Sequence, residues 1–159
     1  MGGTRPGNTY LHSAVDGFSR LAYTEALPDE TAKTAIGFLF RARAWFIAHG
    51  ITRFTRVITD NGSCYKAHDF THAVCSFASR HQRIRPYTPK HNGKVERYQR
   101  TLANELLYAH PWASEDQRTQ AIARWVVHYN YHRPHSATGD QPPASRLLTG
   151  VTNVMSNYT

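Results

Sequence analysis

Apolar and polar residues alternate from Tyr10 to Val15, the two-residue period of a half-buried strand. Asp16-Gly17 follows as a hairpin turn signal, and Ser19 to Leu27 reads as the returning strand. Pro28-Asp29-Glu30-Thr31 then opens a helix, with acids at its positive end. Ala35, Ile36, Leu39, Phe40, Arg43, Phe46 and Ile47 keep a helical rhythm, which His49-Gly50 closes. Ile51 to Thr59 is β-prone. His68 to His81 predicts a second helix, with Phe70, Val74, Phe77 and Ala78 on one face. A short strand is expected from Gln82 to Pro86, then a loop from Tyr87 to Gly93. Lys94 to His110 and Glu115 to Tyr131 predict two further helices separated by Pro111. One short turn is expected near Ala144 to Leu148. The order β-β-α-β-α-β-α-α specifies an α/β sheet with helices packed on it.

Residues 1–8 carry three glycines and a proline and are expected as a disordered start; 9–150 form the expected core domain, and 151–159 a tail. The chain has 159 residues, enough for one domain with a real core. Its 40% hydrophobic content excludes a disordered chain. No apolar run is long enough to span a bilayer and the N-terminus lacks a signal-peptide core, so the expectation is an intracellular, cytoplasmic protein without membrane partners. A formal charge of +8 favours a polyanion such as DNA, against the plainer reading of a basic surface kept for solubility. Cys64, His68, His72 and Cys75 make a zinc-like string. On a helix, however, the two cysteines stand about 16 Å apart along the axis, too far to share one ion.

Charge changes the picture most between Arg80 and Arg100. Seven basic residues occur there (Arg80, Arg83, Arg85, Lys90, Lys94, Arg97 and Arg100) and one acid, Glu96. A solvated helix face would alternate its charges. An isolated carboxylate in a basic strip suits a metal ligand beside a phosphate grip; the alternative is an ordinary Glu96–Arg100 ion pair. Asp60 ends the β-prone run just before Asn61-Gly62, with 35 residues between it and Glu96. Carboxylates from a strand tip and a helix can share a divalent cation. Asp16 is a third candidate, better explained as turn chemistry. Tyr129, Tyr131, His132 and Arg133 read equally well as DNA contacts or as a helix end packed under a sheet.

ITDNGSCY, PYTPKHNGKVER and HYNYHRPHSATGDQPPASRL together resemble the catalytic core of retroviral-type integrases and of bacterial insertion-sequence transposases of the IS481 and IS3 kinds. The resemblance covers about Tyr10 to Leu148. It implies an RNase H-like mixed sheet flanked by helices, and a triad of two aspartates and a glutamate binding two Mg2+ (or Mn2+) ions. By the match, Asp60 is the second triad acid and Glu96 the third. Asn92 and Arg100 match positions that contact DNA in the family, meaning transposon ends and target, and Lys94, Arg97 and Arg133 are expected to hold the DNA backbone by their charge. A homo-oligomer associated with the bacterial nucleoid is also implied.

The likeness is incomplete. In the family, the first aspartate lies on a central strand preceding the hairpin seen here at Tyr10 to Leu27, and this chain shows no acid before that hairpin. The expectation is therefore an N-terminally truncated strand transferase core lacking its first strand, with a gap or unpaired edges in the sheet and weak activity alone. The alternatives are a non-catalytic DNA-binding or dimerising fragment, and a metal-dependent nuclease of the same fold.

Overall fold

Strand formation begins where the alternation predicts it. In the computed structural model, which describes residues 9–85, 93–109 and 111–147, β1 spans Tyr10–Val15 and β2 spans Ala22–Leu27. The two pair as a hairpin, but not through a two-residue Asp-Gly turn. The left-handed residue is Arg20, at φ 69°. The Asp16 carboxylate accepts the Ser19 backbone N–H at 2.8 Å and its hydroxyl at 2.7 Å. Asp16 N–H donates to the Leu21 carbonyl, and Arg20 N–H to the Asp16 carbonyl, both at 2.9 Å. The side chain of Asp16 closes a wider loop, so β2 starts at Ala22 and not at Ser19.

Chain contacts define two compact units: residues 9–12 with 25–96, and residues 13–24 with 97 onward. In the first, α1 runs Ala32–Ala48, capped by the Thr31 hydroxyl, which accepts the Thr34 N–H at 3.3 Å. Its buried stripe is Ala35, Phe38, Ala42 and Phe46. Phe40 and Ile47, assigned inward by the sequence rhythm, are 41% and 38% exposed. The buried stripe advances in three- and four-residue steps, alternating alanine with phenylalanine. β3 (Arg56–Thr59) pairs in parallel with β4 (Arg80–Arg83), Val57 opposite His81 and Thr59 opposite Arg83.

Between these strands lie α2 (Ser63–Lys66) and α3 (His68–Cys75). The helix expected to reach His81 stops six residues earlier because the strand ladder competes for the chain. Ser79 N–H donates to the Thr55 carbonyl at 3.1 Å, which draws the next residues into register with β3. For the same reason β4 begins at Arg80, ahead of the Gln82 expected. Ala35, Cys64, Phe70, Val74 and Ala78 form the core here, with Ile36, Leu39, Phe54, Val57, Tyr65 and Phe77 packed against it.

α4 (Gly93–Leu102) begins in the first unit, passes into the other at Arg97 and widens into a π turn over Ala103–Leu107, closed by Tyr108 N–H on the Ala103 carbonyl at 2.9 Å. The sequence predicted one uninterrupted helix to His110. The wide turn carries Glu105, whose carboxylate meets the Trp125 indole at 3.3 Å and the Arg133 guanidinium at 2.8 Å. α5 spans Glu115–Tyr131. Ser114 Oγ accepts the Gln117 N–H at 3.1 Å while Gln117 Oε1 accepts the Ala113 N–H at 2.8 Å, a reciprocal cap. Tyr98, Trp125 and Tyr129 pack ring on ring, with centroids 5.0–5.8 Å apart.

Each β-pair is its own two-stranded sheet, and among the described residues no strand joins them. This agrees with the expectation of a sheet without its central strand. The tie that secures β2 comes from a side chain. The Asn130 carboxamide accepts the Ala22 N–H and donates to the Ala22 carbonyl, both at 2.9 Å, with both residues fully buried. Asn130→Ala leaves two buried backbone groups unpaired, at about 1–3 kcal/mol each. The expected loss is therefore about 2–6 kcal/mol of unfolding free energy by urea titration; an unchanged midpoint sinks this reading.

Candidate active site

The DNG turn places Asp60 at the exposed C-terminal tip of β3. Its Oδ1 accepts the Gly62 N–H at 2.7 Å, and Oδ2 makes no hydrogen bond among the described residues. Gly62 is needed for space and not for unusual backbone: a Cβ there would stand 3.0 Å from Asp60 Oδ1 and 3.5 Å from the Tyr65 ring. Asn61 Nδ2 donates to the Ile84 carbonyl at 2.8 Å, fixing the turn to the end of β4. Behind it, His81 bridges Thr59 Oγ1 at 2.7 Å and Thr71 Oγ1 at 2.8 Å. Nothing in the sequence pattern singled out this bridge. The Asp60 charge is felt next door. Burial first, then Asp60, pushes the Cys64 thiol up; burial, Cys64 and Asp60 push the Tyr65 phenol up to about 12.

Glu96 lies in the first turn of α4, exposed, and in the same compact unit as Asp60. Among the described residues it forms no ion pair with Arg100 or any other cation, so the plain surface-pair alternative is not what the geometry shows. Lys94, Arg97 and Arg100 are exposed along α4. Asn92 lies outside the described residues. Asp16 is taken up by its own turn, as described above.

Arg133, expected to contact DNA, makes an ion pair within the protein. Its Nη2 lies 2.8 Å from Glu105 Oε2, its Nε donates to the same carboxylate, and Nη1 reaches the Pro134 carbonyl at 3.3 Å. The rest of the segment behaves likewise. Tyr129 is 2% exposed, and its hydroxyl meets His135 Nε2 at 3.1 Å. The YN-x-x-RPH string makes three ties within the protein: Tyr129 to His135, Asn130 to Ala22 and Arg133 to Glu105. Tyr131 and His132 remain exposed.

A model of the integrase core domain matches residues 2–89, and a second integrase core domain model matches residues 78–143. The chain belongs to the integrase core domain family. An uncharacterised 39.2 kDa protein of insertion element IS476 from Xanthomonas euvesicatoria is 31% identical over 132 residues, 83% of this chain and 37% of that protein. Transposase InsD for insertion element IS2A/D/F/H/I/K from Escherichia coli is 27% identical, over 63% of this chain and 33% of its own. This integrase core therefore spans about a third of these relatives' length. Among solved structures, the simian T-cell lymphotropic virus intasome with the PP2A regulatory subunit B56 gamma matches at TM-score 0.67 and 30% identity, over 87% of this chain and 48% of that one. The catalytic core domain of BIV integrase matches at TM-score 0.62 and 23% identity, over 98% and 94%, a likeness of fold. The fold is RNase H-like. Among the described residues, no helix is long and apolar enough to cross a membrane.

As metal donors, Asp60 and Glu96 have the right chemistry, exposed carboxylate oxygens. Two carboxylates suffice for one Mg2+ that completes its shell with water and phosphate oxygens. They fall short of a two-ion cage: among the described residues no three His, Cys, Asp or Glu are grouped to hold a metal.

Two half-buried histidines set a pH dependence. Burial, reinforced by Arg83, lowers the His81 pKa; burial, with Arg133, Arg97 and Arg20, lowers that of His135. Above the ordinary histidine pKa of about 6.5 both are neutral, folded or unfolded, and contribute nothing to the pH dependence. Below it the unfolded chain takes up protons that the native chain resists, so stability falls as pH drops through about 6.5 toward the depressed folded values. Urea midpoints should be lower at pH 5.5 than at pH 7.5, with a shallower dependence in His135→Gln; equal slopes in the two proteins discard the assignment.

Proposed function

We propose that this chain is the catalytic-core portion of an integrase-type transposase, a DNA strand transferase acting on transposon ends and target DNA as a homo-oligomer. The observation that carries the reading is Glu96: an exposed acid amid a basic helix face, with no cationic partner among the described residues, in the same unit as the exposed Asp60. Asp60 and Glu96 would hold a divalent ion, Mg2+ or Mn2+, which supplies electrostatic stabilisation to the oxygens of the scissile phosphodiester. The chain's own contribution is positioning. Lys94, Arg97 and Arg100 hold backbone phosphates by charge. Asn61 and the Thr59–His81–Thr71 bridge hold the Asp60 turn in place. Asn92 would contact DNA near the scissile phosphate, as the resemblance implies. In such a transfer, water first frees a 3′-OH at the element's end, and that hydroxyl then attacks a target phosphodiester in line, releasing a target 3′-OH.

With two carboxylates in hand, turnover by this chain alone is expected to be slow, which keeps a second reading in view: a DNA-binding or dimerising fragment without turnover. A nuclease of the same fold is the third. Strand transfer into plasmid with Mn2+ or Mg2+ separates them. Joining that falls at least about a hundredfold in Asp60→Asn and Glu96→Gln supports the transferase. Cleavage without joining supports the nuclease. Binding without turnover, unchanged by both substitutions, supports the fragment.

Salt dependence tests the basic helix separately. Each of Lys94→Ala, Arg97→Ala and Arg100→Ala should reduce the slope of log K against log salt for duplex DNA by about 0.9, one phosphate contact apiece. Slopes equal to wild type remove α4 from the interface.

A further inference from the structure

The segment His128 to His135 contains three histidines, and the ties described above use only His135. We propose that His128 and His132 form a two-histidine chelate for one borderline transition-metal dication (Zn2+, Ni2+ or Cu2+) at the C-terminal end of α5, His132 being its cap residue.

The two side chains are exposed, four residues apart, with ring centroids 6.5 Å apart and planes tilted by 27°. Residues at this spacing share one helix face. The backbone between them is already fixed: His132 N–H donates to the His128 carbonyl at 2.8 Å, and Arg133 N–H to the same oxygen at 2.7 Å. Binding therefore orders two side chains and no backbone. An ion about 2.0–2.1 Å from one nitrogen of each ring brings the centroids to about 4.5–5 Å. Closing the remaining ~1.5 Å needs only rotation about side-chain torsions in exposed residues. Imidazole suits zinc, nickel and copper, whereas magnesium demands oxygen, so this site differs in kind from Asp60 and Glu96.

Field direction favours it too. The pair lies at the negative end of a 17-residue helix. The cations nearby in the chain are Arg124, one turn back, and Arg133, which is paired with Glu105. The protein also carries a built-in comparison. His68 and His72 on α3 are equally exposed, with centroids 6.5 Å apart and planes tilted by 30°. Their helix is short and His68 is its first residue, where the helix field opposes a cation. The α3 pair should bind more weakly.

Calorimetric titration of the untagged full chain with ZnCl2, and separately NiCl2, tests this. One dominant site is expected. His128→Ala and His132→Ala should each weaken it by roughly tenfold or more, and His68→Ala by less than about twofold. The thermal midpoint should rise with saturating Zn2+ in the wild type and not in His128→Gln/His132→Gln, which stands in if alanine unravels the last turn. No heat of binding, retained affinity in the double variant, or affinity lost in His68→Ala overturns the proposal.

Discussion

A single buried carboxamide does the work of a neighbouring strand. Asn130 gives and accepts one hydrogen bond at Ala22, satisfying both polar groups of a residue with no exposed surface. A strand edge left bare in a dry interior would cost more than the fold can spare. The surrounding sequence serves that bond. Tyr129 is held by Tyr98, Trp125 and His135, and Arg133 by Glu105, so the residues on either side of Asn130 are immobilised by stacking and by charge. Asn130 is thereby held against Ala22. It keeps β2 attached, and β2 is half of the hairpin.

The candidate site obeys a complementary logic. Asp60 and Glu96 are exposed, while the groups that orient the Asp60 turn are backbone or neutral: the Gly62 N–H, the Ile84 carbonyl bonded by Asn61, and two threonine hydroxyls on His81. Neutral support leaves the carboxylate charge available for a cation, where a nearby arginine would consume it. Glu96 follows the same rule by lacking an ion pair among the described residues. The arginines that do find carboxylates, Arg41, Arg118 and Arg133, pair with Glu25, Glu115 and Glu105, away from Asp60 and Glu96 in sequence.

How much was legible follows from which forces are local. β1 and α5 were placed to the residue, because alternation and a Ser114–Gln117 cap are written in neighbouring positions. Asp60 and Glu96 stood out because a lone acid in a basic run is visible without coordinates. What escaped depends on distant partners. α3 ends early because Ser79 answers to Thr55; the hairpin loop widens because Asp16 reaches Ser19; α4 loosens into a π turn that carries Glu105. The Arg133 pairing was not legible because its carboxylate lies 28 residues away in sequence. Phe40 and Ile47 were misassigned because rhythm alone cannot say which of two adjacent apolar stripes faces inward.

The π turn at 103–107 is also a phase device. It spends one residue more per turn than the α-helix before it, which offsets Glu105 against Arg97 and Arg100. Deleting a single residue there would restore α periodicity and rotate those arginines by about 100° relative to the Glu105 tether. Sequence length in this turn, more than the identity of its residues, is what aims the basic face.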